Sequence, residues 1–353
     1  MLRLFKNLYP QERNQTADLL KGFAVVFMIQ VHLMELFAKQ HIHDELIGKI
    51  SFFLGGPPAA PLFMAVMGYF LAKSGKSFLQ NIKRGVTLIV GGIILNVGLN
   101  FHLLVLIFLE KVQLDPLQYI FGADILPLAG FSIILISLIK NFTKTNPHSA
   151  SLVSFLTIIF ILILHSITIE TEPQSRTVAY IQAFFFGKLE WSYFPLLPWA
   201  VYPLAGFFYG TSLKISNTIN KIKNAAIIVF TVITITTFNY AVETASDLTG
   251  YYHHNWIYSL WILQFLALMI YAAEILENNY GKSIVFIYIK WLGKNVTAVY
   301  VFQWLLIGNI ATAIYRTQNE FALVIWFVAV VLTTSALCYG YERITKSRST
   351  KIV

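Results

Sequence analysis

The chain has 353 residues, of which 57% are hydrophobic and only 12% are charged, and its formal net charge is +9. Soluble globular domains carry about 25% charged residues, so this composition excludes an ordinary soluble enzyme and indicates a protein embedded in a lipid bilayer. There is one cysteine, Cys338, which excludes an internal disulfide bond.

Long apolar runs predict an all-α polytopic membrane protein, because a helix needs about 20 apolar residues to cross a bilayer. Residues 1–353 are interpreted as one domain, a single helical bundle. Residues 283–292 are too short to cross and are expected to lie at the interface or to form an elbow. The ten predicted spans are 17–38, 51–72, 85–109, 117–139, 150–169, 194–213, 224–242, 256–276, 294–313 and 321–340.

The basic residues follow a topology with both termini in the cytoplasm. In that arrangement 20 of the 26 lysines and arginines fall in inner loops or at inner helix ends, as the positive-inside rule requires. The net charge therefore reflects topology and gives no reason to expect nucleic-acid binding. Residues 1–16 lack a cleavage site after an apolar core, so the first span is expected to be a retained anchor. A multi-pass membrane location is predicted, which in a bacterium would be the inner membrane.

The first span carries a polar face. Asp18 and Lys21 lie near its inner end and His32 and Glu35 near its outer end, all within a stripe about 100° wide. Ionisable residues are costly in hydrocarbon, so this face is expected to line a cavity. Each end of this face also has a structural interpretation. His32 is then a buried histidine that bonds a carbonyl. Asp18 and Lys21 are then an acid at the helix start and a lysine that extends to the lipid headgroups.

The second span contains "GGPPAAP" at 55–61 and is predicted to be broken there, with residues 46–56 forming an elbow. Irregular backbone at membrane depth is tolerated where it lines a cavity or is buried by protein. The break therefore predicts a cavity that opens outward beside the first span. A kink packed against protein is the alternative.

Polar residues of the third span have two interpretations each. Lys83 and Arg84 at its inner end are headgroup anchors or a clamp for an anionic ligand. Asn96 and Asn100 share one face, where they join helices or donate to a developing oxyanion.

The fourth span carries Asp124 about 12 Å inside its predicted outer end, a depth comparable to that of His32. If the span begins later than predicted, Asp124 is a helix-capping acid instead. The loop histidines His41, His43, His253 and His254 are expected to be exposed. Their spacing matches no zinc pattern, so no metal is predicted.

Five motifs resemble those of one enzyme family in the same order. They are "RNQTADLLKGFAVVFMIQVHL", "GGPPAAPLFMAVMGYFLA", "FGADILPLAGF", "FPLLPWAVYPLAGFFYG" and "WLGKNVTAVYVFQWLLIG". Together they resemble the catalytic domains of heparan-α-glucosaminide N-acetyltransferases, within the wider acyltransferase-3-like group. One departure is Gln303, which stands where many relatives have a histidine.

The resemblance implies transfer of an acyl group, most simply acetyl, from cytoplasmic acyl-CoA to a hydroxyl or amine of a carbohydrate-type acceptor on the outer side. His32 matches the family histidine and would act as general base or acyl carrier, with Asp124 or Glu35 holding its tautomer. Donor-binding candidates are Asp18, Lys21, Lys83, Arg84, Asn96 and Asn100.

Other functions remain open at this stage. A proton-coupled secondary transporter is the main alternative, although the sequence shows no second Gly/Pro-broken span of the kind that inverted repeats favour. A non-catalytic scaffold or lipid-binding module is a third. The acceptor, the acyl chain and the oligomeric state, including a homodimer, are left undetermined.

Overall fold

The structure is a computed structural model that describes the backbone of residues 14–215 and 219–350 and the side chains of 14–215 and 225–345. Both termini, predicted to be cytoplasmic, lie outside these ranges. Apart from an isolated backbone bridge between Ala38 and Gln318, the regular structure described is helical. The helices are α1 Gln15–Phe37, α2 Gln40–Asp44, α3 Leu46–Gly55, α4 Ala60–Lys73, α5 Phe78–Leu99, α6 Phe101–Phe108, α7 Pro116–Ile120, α8 Ile125–Phe142, α9 Pro147–Thr168, α10 Arg176–Gln182, α11 Leu196–Trp199, α12 Val201–Ser212, α13 Ile219–Thr236, α14 Phe238–Ser246, α15 Leu248–Tyr252, α16 Trp256–Tyr280, α17 Ile284–Lys294, α18 Val296–Ile314 and α19 Glu320–Thr350.

The predicted all-α polytopic membrane fold is confirmed. Within the described ranges, eight helical segments are long and apolar enough to cross a membrane, and one of them, Leu46–Lys73, consists of α3 and α4 together. A bent pair, Ala225–Thr236 and Phe238–Ser246, adds a ninth if it forms one span. Below, the inner side is the side of the α1 amino terminus, predicted to be cytoplasmic, and the outer side is the opposite one.

The predicted span 194–213 differs from the others because it is interrupted. It contains α11 and α12, and Leu197 has a non-helical backbone (φ −101°, ψ 119°). Pro198 accounts for this, since proline disfavours the helical conformation of the residue before it. The chain therefore contains a second proline-interrupted span, although none was expected from the sequence and its absence had counted against a transporter.

The break in the second span lies where the sequence predicts it. Helix α3 ends at Gly55, and α4 begins at Ala60 with Pro61 in its first turn. A Cβ atom at Gly55 would lie 2.1 Å from Val31 Cβ, so glycine allows this break to pack directly on α1. The broken second helix and its elbow are thus part of the observed fold.

The predicted elbow near 283–292 is helix α17, which packs on the inner half of α1. Gly22 and Gly293 allow this approach, because their added Cβ atoms would lie 2.0 Å from the Ile289 oxygen and 1.8 Å from the Asp18 oxygen. Lys290 is buried on α17 and pairs with Glu277 at 2.8 Å. Helix α17 therefore fixes the inner end of α1.

Helices α4 and α12 approach each other most closely at two glycines. A Cβ at Gly68 would lie 1.8 Å from the Pro203 oxygen, and one at Gly206 would lie 1.8 Å from the Ala65 oxygen. Small residues allow membrane helices to come this close, and the van der Waals packing that results holds them together.

We expect Gly68→Ala to destabilise the protein by about 1–3 kcal/mol, because the added methyl group overpacks a backbone contact. Gly91→Ala is the matched control, since Gly91 has nothing within 4 Å of an added Cβ. Thermal unfolding of the purified protein in detergent should give a lower Tm for Gly68→Ala than for Gly91→Ala. Equal Tm values for both variants would refute this account of the helix pair.

Candidate functional site

The polar residues at the outer end of α1 line a small cavity, called here the outer cavity. Its volume is about 30 Å³, room for roughly one or two water-sized groups. Side chains from α1, α15 and α18 meet there with the start of α8. The polar and aromatic residues that concern the chemistry are His32, Glu35, Asp124, Tyr251, Tyr300 and Trp304.

His32 lies between aromatic and amide groups from α18. Its ring centroid is 3.9 Å from that of Trp304, with the planes 33° apart. The fully buried Gln303 amide lies beside it, but His32 Nδ1 and both amide atoms have no partner at hydrogen-bonding geometry among the described residues. Gln303, noted above as a departure from the pattern that the motifs resemble, therefore lies beside His32.

Asp124 is the N-cap of α8 and also lines the outer cavity. Its Oδ1 accepts from Ile125 N at 2.6 Å, and its Oδ2 accepts from the Tyr300 hydroxyl at 3.0 Å. The fourth span thus begins at 125 and not at 117, because α7 ends at Ile120 and an extended residue follows. The capping alternative is observed, and the same carboxylate still lines the cavity that His32 lines.

Glu35 lies within electrostatic range of Asp124 and of Arg316. Arg316 is held at the outer end of α1 by a backbone bond from its N–H to the Leu36 oxygen at 3.0 Å. The Arg316 guanidinium gives Glu35 a counter-charge.

Asn96 and Asn100 do not reach the outer cavity. Asn96 Nδ2 donates to the oxygens of Ile120 and Gly122, and Asn100 Nδ2 donates to those of Asn96 and Tyr119. These bonds use both amide hydrogens of each residue, so neither is available to an oxyanion. Their structural role is to hold the loop that precedes Asp124.

A larger cavity of about 430 Å³ lies at the inner end, between α1, α4, α12, α13 and α16; it is called here the inner cavity. Ala17 and Leu20 of α1 line it with apolar residues of the other helices. Polar groups also line it, namely Asn14, Thr16, Tyr69, Tyr209, Tyr271 and Glu274. A mainly apolar cavity with a few polar groups is the usual form of a small-molecule site.

Only some of the predicted donor-binding residues lie beside the inner cavity. Asp18 and Lys21 pair at 2.7 Å beside it, with Asp18 fully buried. Lys83 and Arg84 are exposed on α5 and do not line it. Lys73 was not among the predicted donor-binding residues. It lies 4.4 Å above the ring of Tyr69, and Tyr69 lines the inner cavity.

The loop histidines are mostly buried, so their predicted exposure is wrong. His254 is 2% exposed, and burial lowers its pKa to about 3. The ring is therefore neutral: Nδ1–H donates to the Tyr251 oxygen at 2.7 Å, and Nε2 accepts from the Tyr202 hydroxyl at 2.6 Å. His253 is buried too, and His43 bonds the Met34 oxygen through Nε2 at 2.9 Å.

His41 is exposed as expected. One ring nitrogen lies within 4.8 Å of carboxylate oxygens of Glu45 and Glu320, all on the surface. Exposed groups of this kind are common without an ion, and none of the three residues lines the outer cavity.

Sequence reasoning missed the aromatic walls of the outer cavity. Tyr300 and Trp304 lie in the quoted motif of the ninth predicted span, and Tyr251 precedes the loop histidines. Spacing i, i+4 placed Tyr300 and Trp304 on one face of α18, which was the available signal. Tyr251 had none, because only the tertiary fold brings α15 to α1.

A histidine and two carboxylates thus meet at one end of α1, and a large cavity lies at its other end. The family model described as an acyltransferase domain, of the acyltransferase-3 group, matches residues 14–343. The chain belongs to this family and is a membrane acyltransferase. No curated protein matches the chain.

Proposed function

We propose that the protein transfers an acetyl group from acetyl-CoA, bound at the inner side, to a hydroxyl or amine of a carbohydrate-type acceptor at the outer side. The observation that carries this proposal is the meeting of His32, Glu35 and Asp124 at one cavity, with a second cavity at the other end of α1. The motif resemblance to heparan-α-glucosaminide N-acetyltransferases supports the acetyl donor and the sugar acceptor.

The inner cavity suits the acyl and pantetheine end of the donor, which is long and narrow. The phosphates need cations, and the inner end of α4 has three. Lys140 Nζ bonds the oxygens of Leu71 and Ser74, and Lys214 Nζ bonds the Ala72 oxygen, with Lys73 nearby. We assign the phosphates to these lysines together with Lys21; a role for Lys83 and Arg84 stays a prediction.

His32 serves as general base in this proposal. It takes the proton of the acceptor as the acceptor oxygen or nitrogen attacks the thioester carbonyl. The new C–O or C–N bond forms, the C–S bond breaks, and the imidazolium returns the proton to the leaving thiolate. A route through a covalent acyl-histidine uses the same residue and would leave label on the protein. General acid–base assistance contributes about 10²–10⁴-fold in rate.

The two cavities are distinct, and none of the described residues lines both. Along α1, the buried side chains of Ala24 and Val25 come between the residues that line the inner cavity and those that line the outer cavity. The last residue of the outer cavity on this side, Met28, is about 12 Å along α1 from Leu20 of the inner cavity. Transfer therefore requires these side chains to move so that the thioester reaches His32.

Proteoliposomes test the proposal directly. With glucosamine inside and labelled acetyl-CoA outside, we expect labelled N- or O-acetylglucosamine to form inside only when the protein is present with its inner side outward. Accumulation of unmodified glucosamine without any acyl donor would favour the transporter. Absence of acetylated product in either orientation would refute the acetyltransferase.

Ala267→Phe should block the donor site, because Ala267 lines the inner cavity and a phenyl ring would fill part of it. We expect the KM for acetyl-CoA to rise by about tenfold or more, which corresponds to about 1.4 kcal/mol of lost binding. Leu260→Phe, on the same helix but exposed, is the control and should leave KM unchanged. An unchanged KM in Ala267→Phe would show that the donor binds elsewhere.

A further inference from the structure

The outer cavity holds two hydrogen-bond donors to which the reaction above gives no role. They are the Tyr251 hydroxyl and the Trp304 indole N–H, and both residues line the cavity with His32. Tyr251 Oη and Trp304 Nε1 are buried and have no hydrogen-bond partner within the described part of the chain. Because buried polar groups are normally hydrogen-bonded, two such donors at one cavity point to a ligand atom that accepts.

We propose that Tyr251 and Trp304 donate hydrogen bonds to the carbonyl oxygen of the transferred acyl group and stabilise the oxyanion formed on it. The inference rests on the proposed function, and it replaces Asn96 and Asn100 as oxyanion donors. Preorganised donors in a site closed to water are often the largest single contribution to acyl transfer.

The chemistry of the cavity divides into two sides. An indole N–H can only donate, so Trp304 cannot accept a hydrogen bond from the hydroxyl or amine of the acceptor. Glu35 and Asp124 supply oxygens that accept such hydrogens. The acceptor molecule is therefore assigned to the carboxylates, and the acyl carbonyl to Tyr251 and Trp304.

Tyr251 is held firmly against the break in the second span. A Cβ atom at Gly56 would lie 3.1 Å from the Tyr251 ring, so glycine there allows the ring to approach the backbone. Trp199 packs edge-on to the ring with centroids 5.4 Å apart, and His254 bonds the Tyr251 backbone oxygen. The Gly-Pro break thus serves to admit this side chain to the cavity.

Trp304 is held by the reacting imidazole itself, through the ring contact with His32. The Trp304 indole also interacts with the Tyr300 hydroxyl, which donates its own proton to Asp124. The indole is therefore placed between His32, whose ring it contacts, and the hydroxyl that bonds the capping carboxylate.

The step balances in atoms and electrons. As the acceptor bond to carbon forms, the C=O electron pair moves to oxygen, which receives the bonds from Tyr251 and Trp304. The pair returns as the C–S bond breaks, and neither donor gives up its proton. The two residues therefore lower the barrier without titrating.

Tyr251→Phe and Trp304→Phe test this assignment, each removing one donor while keeping an aromatic ring. We expect each to lower kcat for thiol release from acetyl-CoA by about 10²-fold, with KM for acetyl-CoA unchanged. Water and glucosamine serve as acceptors. Controls are Tyr258→Phe and Trp326→Phe, whose polar atoms bond the Ala241 oxygen and Gln318 Oε1 outside the cavity.

A second measurement does not require turnover. The infrared carbonyl band of [1-¹³C]acetyl-CoA is measured in the bound state in the His32→Ala protein, whose turnover is expected to be slow. Hydrogen bonds lower the frequency of this band, so it should lie lower in His32→Ala than in the double variants that add Tyr251→Phe or Trp304→Phe. Full kcat and an unshifted band in both variants would overturn the donor pair and leave the acyltransferase intact. No acetyl-CoA-dependent thiol release by the wild-type protein with either acceptor would overturn both.

Discussion

His32→Ala and His32→Gln proteins are expected to bind acetyl-CoA as the wild type does and to transfer its acyl group about 10²–10⁴-fold more slowly. The reason is the place of the ring. It lines the outer cavity with Glu35 and Asp124, and the Nδ1 atom has no hydrogen-bond partner among the described side chains and backbone. An acceptor hydroxyl or amine that enters this cavity meets the imidazole beside two carboxylates, which is the arrangement that a general base requires. Transfer of label from acetyl-CoA to glucosamine by the purified protein measures the effect.

The control is His41→Ala, because His41 is exposed at the same outer side. This variant should retain wild-type turnover. Tm and acetyl-CoA thermal shifts should match the wild type for all three variants, which separates a catalytic loss from unfolding. Undiminished turnover in His32→Ala would exclude His32 as base and as acyl carrier.

Asp124→Asn is the second substitution with a large expected effect, a loss of about 10²–10³-fold in kcat. The carboxylate accepts from the Tyr300 hydroxyl and lines the cavity, so its charge is available to the developing imidazolium. Asparagine keeps an oxygen for the helix cap, and N-cap asparagine is as favourable as aspartate. Stability should therefore change by less than about 1 kcal/mol while activity falls.

Asp115→Asn is the matched control for that experiment. Asp115 also caps a helix, accepting from Leu117 N at 3.1 Å, and also accepts from a tyrosine hydroxyl, that of Tyr180. It lies outside the outer cavity. Asp115→Asn should retain full activity. If both variants lose activity equally, Asp124 acts only as a cap and the proposed electrostatic role fails.

The sequence predicted those features that depend on local periodicity. The polar stripe of α1 follows from helical spacing alone, and the structure brings His32 and Glu35 of that stripe to one cavity. The break near Gly55 and the elbow at α17 follow from proline, glycine and run length. Each of these signals is contained within a single segment of the sequence, so it can be interpreted without knowledge of tertiary contacts.

Features that depend on long-range packing could not be predicted in this way. Asp124 lies at a span boundary, where one more or one fewer turn decides between a buried acid and a cap. His254 was expected on the surface, yet Tyr202, Tyr251 and Trp199 enclose it. Tyr251 lines the cavity only because α15 packs on the break in the second span. The hydrophobic pattern of neither segment predicts that contact.

The stretch of α1 between the two cavities has a consequence for the cell that contains the protein. Between Lys21 and His32, α1 carries no ionisable side chain, and Ala24 and Val25 of that stretch are buried, although both ends of the helix carry ionisable groups. This stretch of α1 therefore offers a proton no titratable group on which to rest. A membrane enzyme with such a helix keeps its two polar ends apart, which favours retention of the electrochemical gradient that the bilayer maintains.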